Sequence, residues 1–390
     1  MIDRSPAWCV RPLPEDDELL SSWLHRLAIG NALCDHTLCR YMFGNLAVWN
    51  RDLDRSFPDS SLESLAQWTS LPVERLRKMR LTNLAGRLSE RINAAGASPW
   101  ILPAGIYHRM RRRAGLQYCP KCLREREANA FWMWRMAWST CCSRHHCQLL
   151  DRCPRCRSPY MAHRTAPSLF GRACCDGCGC DLSRTDSAPA EPIEGRWQLR
   201  LEEAVRSGWL LVGSQEVLAL SFFEGLRTLV RVLLSRRSVS LRNYLMDKVQ
   251  TQTIEVSATQ SFEFESIEVR RSILAMAFVL LSHWPTRFLA ATRRCGTGRW
   301  AFARRDGGVE VYWLQQALDR IPLLQKRHFN VDELRAACTL ITRQGGRITV
   351  QNIKRVLGLR PRANVPTDLK TVIADYKKTR AHRQSVPRPC

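Results

Sequence analysis

The chain has 390 residues with 60 Lys or Arg against 36 Asp or Glu, a formal net charge of +24 and a pI near 10.0. A hydrophobic content of 45% with 25% charged residues describes an ordered globular protein and excludes a disordered one, and the length allows two or three domains. No apolar run approaches the ~20 residues of a membrane helix, so no membrane role is expected; the longest, Ile273–Leu281, reads as a buried helix.

In chain order, Met1–Val10 lacks the basic and apolar regions of a signal peptide, which leads us to expect a reducing compartment. Pro14 followed by Glu15, Asp16, Asp17 and Glu18 places acids where a helix dipole favours negative charge. Leu20, Trp23, Leu24 and Leu27 then mark one apolar helical stripe that ends at Gly30-Asn31, and Leu33–Phe43 reads as a second helix. Ser61–Thr69 and Pro72–Met79 form two short helices joined at Ser70-Leu71, with Leu62, Leu65, Ala66, Leu71, Val73 and Leu76 as the shared seam. This fits a helix-turn-helix, although plain helical packing is the commoner origin of such a pair.

Eleven of the 17 cysteines lie between Cys119 and Cys180, in short knuckles: Cys119-Pro-Lys-Cys122, Cys142-Ser-Arg-His145, Cys153-Pro-Arg-Cys156 and Cys175-Asp-Gly-Cys178. Eight soft donors make two tetrahedral sites, and Zn²⁺, two per chain, is the expected ion. Pairing in chain order gives a Cys₃His site (Cys119, Cys122, Cys142, His145) and a Cys₄ site (Cys153, Cys156, Cys175, Cys178). A cross-braced pairing, first knuckle with third, stays open, because Cys141, His146, Cys147, Cys174 and Cys180 crowd the knuckles. A disulfide framework needs an oxidising compartment, and an iron–sulfur cluster suits a His-containing ribbon less well. Four protein ligands per ion close the site, so the expected zinc is structural. Between the first two knuckles, Phe131–Trp138 is aromatic enough to stack bases, but Trp134 and Trp138 read as the core that small ribbons require.

Periodicity returns after Trp197, with helices expected over Val217–Leu234 and over Glu268–Ala291, the latter interrupted or ended by Pro285. Cys295–Gly298 is a Gly-rich turn with no phosphate-loop lysine. A second helix-turn-helix candidate spans Val331–Thr342, Thr349–Leu357 with Thr349 as N-cap, and a basic helix over Thr367–Arg380.

Only eight of the basic residues are Lys, and the excess clusters around Arg109–Arg113 and over 354–388. A clustered cationic surface points to a polyanionic partner. Arg111, Arg112, Arg113, Arg360, Arg362, Lys370, Lys377 and Lys378 are the candidate nucleic-acid contacts. The expected fold is therefore mainly α with small zinc-ribbon subdomains. It comprises an N-terminal helical region with a helix-turn-helix candidate (1–115), two tandem zinc-binding knuckle modules (116–190) and a helical domain (191–325). A C-terminal helix-turn-helix candidate (326–380) and a basic tail (381–390) complete it.

Four segments together resemble the TniQ family of bacterial transposons: Pro12–Ala28, with its proline, acids, Ser-Trp-Leu and Arg-Leu-Ala; Tyr118–Leu123; Trp134-Arg-Met leading through Cys142–His145 to Leu149–Cys156; and Cys175–Leu182. The resemblance covers residues 5–182 and weakens beyond Trp197. It implies no catalytic site. It implies instead a target-site selection adaptor that links a target to an AAA+ ATPase regulator, and through it to the transposase, in the bacterial cytoplasm at the nucleoid. The target is DNA bound directly, or a guide-RNA effector complex as in the CRISPR-associated relatives, where the protein is a homodimer. The general arrangement looks most like the mercury-resistance transposon branch. A DNA-binding zinc protein acting as a transcriptional regulator is the alternative reading. An enzyme would need clustered carboxylates for two Mg²⁺ or a Walker lysine; acidic residues are plentiful, but no strand-rich segment presents them and no Walker lysine is found.

Overall fold

In the computed structural model, the first apolar stripe is helix α1 (Leu20–Gly30), which buries Leu20, Trp23, Leu24 and Leu27. The structure describes residues 7–46, 48–104, 106–107, 110–111, 113–126, 130–161, 163, 173–250, 261–303, 311–321, 329–358 and 369–385. Helix α2 (Asp35–Phe43) stops at Gly44, whose φ of 60° suits a glycine. Helix α3 (Leu53–Ser56) is a single turn. The expected helix pair is α4 (Ser60–Thr69) and α5 (Val73–Lys78), and Leu62, Leu65 and Leu76 enter a core with α1 and α2.

The acids before α1 depart from expectation. They precede the helix rather than fill its first turn, and each meets a different arginine. Glu15 accepts from Arg126 at 2.6 Å, Asp16 from Arg75 at 3.2 Å, Asp17 from Arg206 at 2.8 Å and Glu18 from Arg26 at 2.9 Å. Their role is tertiary, a strap across distant segments, because backbone dipoles attract acids less strongly than facing guanidinium groups do.

Among the described residues of 81–191, regular structure beyond single 3-10 turns is limited to a two-residue pairing of β1 (Ile106–Tyr107) with β2 (Met110–Arg111), helix α6 (Pro120–Glu125) and isolated bridges. Irregular backbone needs polar partners when buried. Gln117 supplies them, its Nε2 donating to the carbonyls of Trp134, Met136 and Ser139. Arg270 from a later helix donates to Gln117 Oε1 at 3.0 Å and to the Ala137 carbonyl at 2.7 Å. Trp134 and Trp138 are 1% exposed, which makes them core, and Trp138 stacks on Phe223.

Helix α7 (Pro192–Ser207) begins the helical half. The expected Val217–Leu234 helix is shorter at its start. Val217 and Leu218 belong to β4 (Gln215–Leu218), which pairs antiparallel with β3 (Trp209–Val212) around Gly213 at φ 65°. Helix α8 (Ala219–Leu234) follows, then α9 (Val239–Val249). The expected Glu268–Ala291 helix is two, α10 (Ile267–Leu281) and α11 (Thr286–Arg294), bent by 111° where Pro285 precedes α11. Helix α12 (Tyr312–Leu318) inserts Trp313 beside Gly225 of α8. One continuous core joins Cys119, Cys122 and Cys153 to Trp197, Phe223 and Leu281, so the cysteine region rests on these helices. Among the described residues, no single helix is long and apolar enough to cross a membrane.

The chain divides into two compact units, Met1–Ile321 and Pro322–Cys390. The second contains α13 (Val331–Arg343), α14 (Val350–Val356) and α15 (Leu369–Ser385). Asn330 and Glu333 close a capping box on α13, and Thr349 caps α14 as expected. Leu369 and Val372 of α15 are buried against Leu334, Ala337, Cys338, Ile341 and Ile353. Helix α15 runs on to Ser385, five residues into the expected tail.

Candidate metal centres

Cys119 is the N-cap of α6 with Pro120 at the first helical position, and its Sγ accepts from the Cys122 amide at 3.5 Å. That turn brings both sulfurs to one side, at a helix N-terminus that favours thiolates. The second knuckle closes through two bonds: the His146 amide donates to the Cys142 carbonyl at 2.9 Å, and the Cys142 amide to the Cys147 carbonyl at 2.7 Å. The His145 amide points at Cys142 Sγ, 3.4 Å away.

These turns bring Cys119, Cys122, Cys142 and His145 together, with all four donor atoms within 4.8 Å of one another. His145 Nδ1 lies 3.4 Å from Cys119 Sγ, 3.2 Å from Cys122 Sγ and 3.6 Å from Cys142 Sγ, and Cys122 Sγ lies 3.6 Å from Cys142 Sγ. A tetrahedral ion with metal–sulfur bonds of about 2.3 Å sets its donors about 3.5–3.8 Å apart; the two 3.6 Å edges fall in that range and the two shorter ones to within about 0.3 Å of it. Cys153, Cys156, Cys175 and Cys178 form the other cluster, with Cys153–Cys178 at 3.6 Å and Cys156–Cys175 at 3.5 Å between sulfurs. Gly177 lets the chain close here, since a Cβ would stand 2.8 Å from Ser158 Oγ and 3.4 Å from Cys156 Sγ. The knuckles thus pair in chain order and are not cross-braced.

The described cysteines are all free thiols. Thiolates packed this closely repel one another, and a bound cation would offset that repulsion. Hydrogen bonds from Cys119 and Cys122 draw Cys142 down to about 2, while contacts with Cys122, Cys142 and Cys147 push Cys119 far up. Metal binding at such a cluster would displace the thiol protons. Each cluster can therefore hold a metal ion. With four protein donors the coordination is complete, which leaves no position for a reacting water.

Outside the donors, His145 Nε2 meets Glu125 Oε2 at 2.9 Å, the arrangement that fixes a ligating imidazole. Sequence reading passed over Glu125; its position one turn after Cys122 on α6 is the available signal. Cys141, His146, Cys147, Cys174 and Cys180 belong to neither four-donor cluster, and His146 is exposed.

The candidate phosphate contacts are dispersed. Arg113 is exposed and lies over the Phe264 ring, 4.3 Å from its centroid. Lys370, Lys377 and Lys378 are exposed on α15, whose Leu369 and Val372 are buried. Arg111 lies in β2, with its side chain outside the described residues, as are Arg112, Arg360 and Arg362 altogether. On α5, Arg75 engages Asp16, and Arg77 engages Glu74.

No curated protein matches the chain. Residues 9–149 match the family model described as TniQ, a span that contains the whole first cluster and stops short of the second. Over residues 9–149 the chain carries a TniQ family domain.

Proposed function

We propose that this protein is a non-catalytic target-selection adaptor, which binds target DNA directly and couples it to the AAA+ ATPase regulator, and so to the transposase, of a bacterial transposon. The match of residues 9–149 to the TniQ family carries this reading. In it, Cys119, Cys122, Cys142 and His145 hold one Zn²⁺, and Cys153, Cys156, Cys175 and Cys178 hold a second. Zinc is favoured over harder ions by seven thiolates and one imidazole among eight donors. The ions stiffen a segment with little secondary structure of its own, so that it can present fixed surfaces to partners.

For the DNA contact, the C-terminal unit is the better supported helix-turn-helix candidate. Helix α15 leaves Lys370, Lys377 and Lys378 exposed. Helix α5 has six residues, and two of its arginines are engaged by acids of the same chain. Duplex DNA affinity measured across a salt series tests the reading. The logarithm of affinity should fall linearly with the logarithm of salt, and replacing Lys377 and Lys378 by Ala should reduce that slope. Salt-independent binding would contradict direct DNA contact, and capture of a guide-RNA complex in its place would identify an effector-bound adaptor.

A further inference from the structure

The two cysteine clusters repeat one local pattern. Cys141-Cys142-x-x-His145-x-Cys147-x-Leu149 recurs as Cys174-Cys175-x-x-Cys178-x-Cys180-x-Leu182. The backbone repeats with it. The Cys142 amide donates to Cys147 at 2.7 Å and the Cys175 amide to Cys180 at 2.8 Å, while Leu149 and Leu182 each donate at 2.9 Å, to Thr140 and Ala173. In both copies the cysteine five residues after the knuckle's first ligand turns toward the first ligand of the preceding knuckle. Cys147 Sγ lies 3.5 Å from Cys119 Sγ, and the Cys180 thiol contacts Cys153. Each site thus has a fifth sulfur at the same place in the pattern, and at the first site its 3.5 Å separation from Cys119 is that expected of two donors on one ion.

We propose that Cys147 is a reserve ligand of the first site, taking the coordination position of His145 whenever the imidazole leaves. His145 is the donor at the water edge. Its side chain is 11% exposed and its orienting partner Glu125 is 45% exposed, whereas Cys119, Cys122 and Cys142 are 0–6% exposed. Cys147 is 2% exposed, so the exchange moves the fourth donor from the rim into the core. In the exchange the metal–Nδ1 bond breaks, a metal–Sγ bond to Cys147 forms, and the thiol proton passes to the freed imidazole. Nothing is oxidised or reduced. The site gains one negative charge. Thiolate is also the stronger zinc ligand, so the site keeps its ion while its exposed arm is free.

This inference rests on the metal reading above, and metal content with cobalt spectra of the full chain separates the two. Wild type should hold two ions per chain. His145→Ala should still hold two under a chelator that leaves wild type intact, and its cobalt form should show sulfur-to-metal charge transfer raised in the ratio of four thiolates to three at that site. His145→Ala with Cys147→Ser should hold one ion, whereas His145→Ala with Cys180→Ser should hold two. Loss of an ion from His145→Ala alone, or two ions kept by its Cys147→Ser double variant, would overturn the proposal. Should the double variant fail to fold, the cobalt spectrum of His145→Ala decides, because an unchanged thiolate band rules out a fourth sulfur. A metal-free wild type would instead overturn the metal reading itself.

Discussion

Arg135 grips Asp52 through two hydrogen bonds, of 3.0 and 2.6 Å, with both side chains at or below 6% exposure. Asp54 accepts from the same guanidinium at 3.1 Å, and Asp52 also accepts from Arg55 Nε at 2.7 Å. This network ties the aromatic segment between the first two knuckles to α3. Removing one partner strands a buried charge, so Asp52→Ala should destabilise the fold by about 3–5 kcal/mol in urea denaturation. Replacing Arg135 together with both acids by apolar residues of similar volume should cost far less, since no orphaned charge remains.

The acidic run from Glu15 to Glu18 offers a graded test of its role as a strap. Glu18 is fully buried at its side chain and holds Arg26, whereas Asp16 is 92% exposed on Arg75. Glu18→Ala should cost about 3 kcal/mol, against at most about 0.5 kcal/mol for Asp16→Ala, by thermal or urea unfolding. Equal small losses at both positions would favour a helix-dipole role instead.

Gly225 sits inside α8 where helical propensity argues against glycine. A Cβ there would stand 2.2 Å from Trp313 Cζ2. Gly225→Ala should therefore destabilise by about 1–3 kcal/mol despite its better propensity, because the indole of α12 cannot move within a packed core. A gain in the urea midpoint would contradict this close approach.

Glu263 supplies a pH signature. Burial raises its carboxyl, but Arg227 and the Trp100 amide, at 2.7 Å, outweigh burial and hold it below the ordinary 4.5. A depressed folded value means that the unfolded chain takes up the proton first on acidification. The stabilisation is complete above about pH 4.5 and is lost as pH falls through the folded value. Glu263→Gln should accordingly be less stable than wild type at about pH 7, with the gap narrowing toward about pH 3.

Local patterns in the sequence were the readable ones. The stripe Leu20, Trp23, Leu24 and Leu27, the Ser70 turn and the Thr349 cap each depend on residues within one or two helical turns, and each appears in the fold. The β3–β4 hairpin was hidden because Val217 and Leu218 run directly into the apolar face of α8, leaving Gly213-Ser214 as its only local signal. The arginine partners of Glu15–Glu18 are 8 to 189 residues away, beyond any periodicity argument. The knuckles follow the same division. Each Cys-x-x-Cys turn is legible by itself, but the choice between sequential and cross-braced pairing, and the placing of Cys147 against Cys119, depend on tertiary packing.

Elemental analysis of the purified, reduced and folded chain addresses the two metal centres without intermediaries. Two zinc ions per polypeptide are expected, with about one lost on Cys122→Ser and about one on Cys156→Ser. A folded chain without metal, or thiols found bridged to each other, would contradict that expectation.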